Sequence, residues 1–143
     1  MRQIKRSAYV QYSAKEMFLL VDDISAYPDF LPGCKYTEVH DRSDKNVIAT
    51  IVLARSGIKS RFTTSNKLTK YDAIELSLNE GPFSYFEGGW SFINFEDKGS
   101  KIEFRLKFEL KSSVLDLSLG SFFENICDKL VDAFVFRAKE IYK

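Results

Sequence analysis

The sequence predicts an α+β domain in which a strongly curved antiparallel sheet of about seven strands packs on one long C-terminal helix, with two short helices after strand 1. Three observations predict it. At 100° per residue, Leu119, Phe122, Phe123, Ile126, Cys127, Leu130, Val131, Ala133, Phe134, Ala138 and Ile141 fall on one arc of the helix drawn over residues 114–142. Ile102, Phe104, Leu106, Phe108 and Leu110 alternate with Lys101, Glu103, Arg105, Lys107 and Glu109, giving one apolar and one wet face. Between residues 35 and 110 the apolar runs are separated by turns short enough for hairpins, with no crossover helix among them.

In chain order, residues 4–12 form the first strand, with Ile4, Ala8, Val10 and Tyr12 on one side. Ser13 and Glu16 make an S-x-x-E capping box for a short helix whose apolar side carries Met17, Phe18, Leu20, Val21 and Ile24. Asp22 and Asp23 are expected in solvent. Residues 25–34, SAYPDFLPGC, hold two prolines four apart, which exclude a long helix and allow one short turn bearing Tyr27, Phe30 and Leu31. Strands follow over residues 35–41, 47–53, 58–69, 74–79, 84–95 and 101–110, divided by turns at 42–45, 56–57, 71–72, 81–82 and 97–99. The final helix, taken from Leu119 to Tyr142, would run roughly 36 Å and cover most of one sheet face. Its secure part starts at Phe122, because Gly120 and Ser121 loosen the first turn. Arg137 interrupts the apolar arc and Phe136 points away from it.

Composition limits the function. The chain of 143 residues is 45% hydrophobic, enough for one domain with a substantial core spanning residues 1–143. Thirteen Phe, seven Tyr and one Trp can fill a core or line a hollow, so composition does not choose. A formal charge of +1 gives no global case for nucleic acid, and no DNA partner is expected. Cys34 and Cys127 are read as free thiols in a reducing, cytoplasmic setting. The charged N-terminus leads into no apolar h-region, which argues against a secretory signal, and no run of eighteen apolar residues spans a bilayer.

YPDFLPGC at 27–34, GPFSYFEGGWSF at 81–92 and FVFRAKEIY at 134–142, in that order and spacing, resemble the START-like domains of the coenzyme Q-binding and ribosome association toxin group. The resemblance covers essentially the full length. It implies a helix-grip fold closed around an elongated apolar cavity, with ubiquinone or a similar polyprenyl lipid as ligand and no required cofactor. A second theme of that family is association with the large ribosomal subunit.

A hollow needs a physical reason, since voids cost about 24 cal/mol per Å³. Gly88 and Gly89 beside Trp90 let the sheet coil tightly under the helix, and strong coiling also opens a pocket. The expected lining is Tyr27, Phe30, Leu31, Pro32, Phe62, Trp90, Phe92, Phe123, Ile126, Leu130 and Phe134, with Tyr36, Tyr85 and Arg137 as polar contacts for a quinone head. Tyr27, Phe30, Leu31 and Pro32 read either as ordinary core or as a lid over one mouth. Arg137 reads either as a stem packed on the core with its head in solvent or as a ligand contact.

From Asn46 to Tyr71 there is no acid, while Arg55, Lys59, Arg61, Lys67 and Lys70 sit on one predicted hairpin. They form either a solvated strand face or a phosphate contact, to membrane headgroups or ribosomal RNA. No catalytic constellation is visible. His40, the single histidine, reads as structural or solvent-exposed, no metal site is expected, and no Gly-rich phosphate loop or nucleophile elbow occurs. The resulting expectation is a nonenzymatic carrier of a hydrophobic molecule, most of all ubiquinone, supporting respiratory electron transfer, cytoplasmic or peripheral on the inner face of the cytoplasmic membrane. The leading alternative is a ribosome association toxin-like protein that binds the large subunit and blocks subunit association. A cyclase-like enzyme using the same cavity ranks behind both.

Overall fold

Strand β1 (Arg2–Val10) pairs antiparallel with the last strand of the sheet rather than with its neighbour in sequence. The computed structural model describes residues 1–95 and 98–142. Helix α1 (Ala14–Asp22) and a 3-10 turn (Ile24–Asp29) precede β2 (Cys34–Arg42), β3 (Asn46–Arg55), β4 (Ile58–Thr69), β5 (Ala73–Glu80), β6 (Phe83–Asn94) and β7 (Ser100–Leu110). The sheet order is β1-β7-β6-β5-β4-β3-β2, so β2 to β7 are the expected meander and β1 extends it at the β7 end. The α+β architecture read from the sequence is the one observed.

Local signals account for most boundaries. The Ser13 hydroxyl accepts the Glu16 N–H at 3.0 Å and the Glu16 carboxylate accepts the Ser13 N–H at 2.9 Å, satisfying two donors at the start of α1. Pro28 lies inside the 3-10 turn, which ends at Phe30. Gly33, at φ +77°, turns the chain into β2 where an L-residue would be strained. Strand β7 alternates buried and wetter positions along its length. Asp97 of the expected 97–99 turn lies outside the described residues, while Phe95 donates its N–H to the Gly99 carbonyl at 3.0 Å to close the hairpin.

The C-terminal helix is one helical run with two irregularities. A single turn α2 (Ser113–Leu115) passes into a π turn (Asp116–Gly120), then α3 (Ser121–Asp128) and α4 (Leu130–Ile141). Lys129 separates the last two at φ −99°, ψ −3°. Arg2 of β1 fastens the front of this run, donating to Asp116 at 3.0 Å and to Glu124 at 2.8 Å. Phe123, Ile126, Cys127, Val131, Phe134 and Ala138 are buried against the sheet, as the apolar arc requires, and Phe136 is exposed. Ring contacts tie the layers: Phe108 to Phe123 at 4.8 Å and Trp90 to Phe134 at 5.3 Å.

Two expectations are corrected. Ile141, placed on the apolar arc, is half exposed at the last residue of α4, where the helix gives way to Tyr142, whose hydroxyl reaches back to the Glu16 carbonyl at 2.8 Å. Asp22, expected in solvent, is partly buried because Arg42 of β2 reaches across and donates to it at 2.9 Å.

The glycine pair in β6 allows close approach between strands. A β-carbon on Gly88 would lie 2.1 Å from the Arg105 carbonyl oxygen, and one on Gly89 2.3 Å from that of Ile74. Both neighbours are backbone and cannot rotate away. Gly88→Ala is therefore expected to destabilise the domain by about 3 kcal/mol or more. Urea denaturation checks this; wild-type stability would mean that the strands relax apart freely.

Candidate functional site

The inward residues of β3 to β7, the 3-10 turn with the loop after it, and α3–α4 line a partly open apolar cavity of about 90 Å³. Its wall includes Tyr27, Leu31 and Pro32 from the proline segment, Phe62 and Trp90 from the sheet, and Phe123, Ile126, Leu130 and Phe134 from the helix. These are sequence-predicted positions brought together from five elements. The proline segment lies against the helix over this space: Tyr27 meets Phe134 edge-on at 5.5 Å, and a β-carbon on Gly33 would sit 2.8 Å from Ile126 Cδ1.

Other expected lining residues lie elsewhere. Tyr36 and Tyr85 occupy the outer face, where strand alternation aims them away from the helix, and their hydroxyls donate to Glu38 at 2.9 Å and to Glu87. Those carboxylates raise both phenol pKa values by stabilising the protonated form. Phe92 is spent on the core, edge-on to Phe18 at 5.6 Å. Phe30 packs edge-on against Phe134 at 5.2 Å outside the cavity lining, with the Arg137 guanidinium over its ring at 5.0 Å and 3.9 Å from Glu140. Arg137 thus covers an aromatic ring rather than facing the cavity, which resolves its place on the apolar arc.

Several wall residues escaped the sequence reading. Ile51, Leu53, Ile74, Leu76, Phe86, Phe104 and Leu106 line the space, as do Cys34 and Cys127. So do Thr64 and Asn66, whose parity with Phe62 and Leu68 on β4 was the available signal. The two thiols are free and buried, and burial pushes Cys34 up to about 11 and raises Cys127 too. Modification by a disulfide reagent at pH 8 should consequently be on the order of 100-fold slower in the native protein than in urea. Equal rates would show that the wall opens readily.

The basic hairpin is more dispersed than its sequence suggests. Lys59 and Arg61 stand exposed on the outer face of β4, with Arg55 near the hairpin tip and Lys35 in the β2 bulge at the same end of the sheet. None of these four has an ion-pair partner among the described residues. Lys67 pairs with Glu75 at 3.9 Å, and Lys70 lies at the other end of β4 over the Tyr71 ring. The usable patch is therefore Lys35, Arg55, Lys59 and Arg61, with Tyr36 beside it.

His40 bonds structurally on this same face. Its Nε2 lies 2.6 Å from the Thr50 hydroxyl, which is 2.6 Å from that of Thr63, and its Nδ1 lies 3.2 Å from Glu38. The chain links β2, β3 and β4. Among the described residues no helix is long and apolar enough to cross a membrane.

A curved seven-stranded sheet gripping a C-terminal helix around an apolar space defines a START-like, helix-grip protein. A START superfamily structure from Mycobacterium smegmatis superposes with a TM-score of 0.80 at 19% identity, covering 97% of this chain and 98% of that one. The chain belongs to the family described as polyketide cyclase / dehydrase and lipid transport, whose pattern matches residues 10–135. It is 42% identical over 142 residues to the ribosome association toxin RatA of Vibrio cholerae, covering 99% of each chain. It is 26% identical over 138 residues to the mitochondrial coenzyme Q-binding protein COQ10 of Drosophila melanogaster, covering 94% of this chain and 57% of that one. Neither relative carries the name of an enzyme.

Proposed function

We propose that this protein acts on the ribosome, binding the large subunit through the outer face of its sheet and hindering subunit association. The observation that carries this reading is the full-length, 42% identity to a ribosome association toxin. The basic end of β3 and β4 gives it a surface: four exposed cations without ion-pair partners among the described residues suit a phosphate backbone. This places the ribosomal reading, the alternative at the level of sequence, ahead of the quinone carrier. Sedimentation through sucrose with purified large subunits tests it. Comigration that weakens steeply with added salt is expected, and failure to comigrate at low salt would end the proposal.

The cavity favours a second reading, binding of a small hydrophobic ligand. Its wall is apolar enough for that, and the COQ10 relative supports it at lower identity. Yet about 90 Å³ lies well below the roughly 300–1,000 Å³ of pockets that enclose drug-sized ligands. A polyprenyl quinone would have to widen this space. Burial of each CH₂ group offers about 0.8 kcal/mol toward that opening. Organic extraction of native protein followed by mass spectrometry tests the quinone reading, which the absence of any copurifying prenyl lipid would sink.

A further inference from the structure

We infer that Asn66 is a hydrogen-bonding site for a small apolar molecule bearing one acceptor oxygen, such as a ketone or quinone carbonyl, held inside the cavity. The inference deepens the ligand-binding reading and is independent of the ribosomal one. Asn66 lies in the middle of β4, only 7% exposed, and contributes to the cavity wall. Its Oδ1 accepts a hydrogen bond from the Thr64 hydroxyl at 2.8 Å, and Nδ2 is the other branch of the same amide. Nδ2 has no hydrogen-bond partner among the described residues. The one fully occluded, unpaired side-chain atom among them is Oδ1 of Asp22, so the Asn66 nitrogen retains access to open space. Asn66 is nine-tenths buried and lines the cavity, the space that a ligand would share with this amide.

The other polar groups of the wall are already committed or weak. The Tyr27 hydroxyl donates to the Val21 carbonyl, the Thr64 hydroxyl to Asn66, and the Cys34 and Cys127 thiols are protonated at neutral pH. The cavity thus offers a single strong donor group in an apolar shell. A buried donor without a partner is destabilising, and an acceptor supplied by a ligand removes that cost. An anion is disfavoured, because no Lys or Arg belongs to the wall and a desolvated charge would go uncompensated.

The test uses the full-length protein labelled with ¹⁵N, titrated with cyclopentanone and with its hydrocarbon counterpart methylenecyclopentane. Cyclopentanone is expected to shift the Asn66 side-chain amide signals saturably and to bind about 5- to 10-fold more tightly than methylenecyclopentane. Asn66→Leu, which keeps the volume and removes the donor, is expected to abolish or invert that preference. Equal affinities in the wild type, a preference unchanged in Asn66→Leu, or no saturable shift from either probe would overturn the inference. The wild-type comparison decides the matter even if Asn66→Leu does not fold, and the ribosomal reading survives either result because Lys59 and Arg61 are untouched.

Discussion

Exchanging both Lys59 and Arg61 for glutamate should weaken binding to large ribosomal subunits by about 100-fold at low salt, and should flatten the salt dependence by roughly two units of log–log slope. The two side chains stand exposed on the outer face of β4, where neither is held by a carboxylate among the described residues. Reversal therefore changes the face by four units of charge without breaking an internal contact. Surface substitutions of this kind usually alter stability by no more than about 0.5 kcal/mol, so a loss of binding cannot be ascribed to unfolding. Lys67→Glu gives a useful contrast, because Lys67 already faces Glu75 at 3.9 Å. Its effect on binding should be small. Sucrose-gradient cosedimentation at several salt concentrations checks both, and full binding by the double variant would remove the β4 face from the interface.

Phe134→Ala should destabilise the domain by about 3–5 kcal/mol. At 1% exposure, Phe134 is the point where three layers meet. Its ring contacts Tyr27 at 5.5 Å, Phe30 at 5.2 Å and Trp90 at 5.3 Å, so one side chain joins the proline segment, the sheet and the helix. Truncation leaves those rings without a partner and enlarges a hollow that the fold already carries. For a chain of this length the loss corresponds to a melting temperature lower by roughly 10–16 °C. Guanidinium and thermal denaturation measure it. A small aromatic solute should restore part of the loss in this variant and not in the wild type, since it would fill the new volume. A change below about 1 kcal/mol would show that the proline segment collapses into the gap at little cost, and so behaves as a freely moving lid.

Much of the architecture was legible in the sequence because it rests on local periodicity. Period-two alternation from Lys101 to Leu110 announced β7, and the arc from Phe123 to Ala138 announced the buried side of the helix. The Ser13 capping box located the start of α1 to the residue. The family motifs pointed correctly to a helix-grip protein, while the weighting between carrier and ribosome-directed protein shifts with the 42% identity to a toxin. The site was less legible. Tyr36 and Tyr85 read as ligand contacts on chemistry, but their strand positions set them on the outer face. Thr64 and Asn66 read as polar strand residues, although they share a face with Phe62 and Leu68.

What the sequence determined by itself, then, is the kind and order of elements, which side of each is apolar, and the charge of the β3–β4 hairpin. Only the tertiary structure decided the size of the hollow, the position of Arg137 over Phe30, the separation of Lys70 from Lys59 and Arg61, and the isolated amide of Asn66. The reason is one of range. Backbone periodicity is set by residues a few places apart, whereas a void of about 90 Å³ is a small difference between large packed volumes contributed by the sheet, the proline segment and the helix.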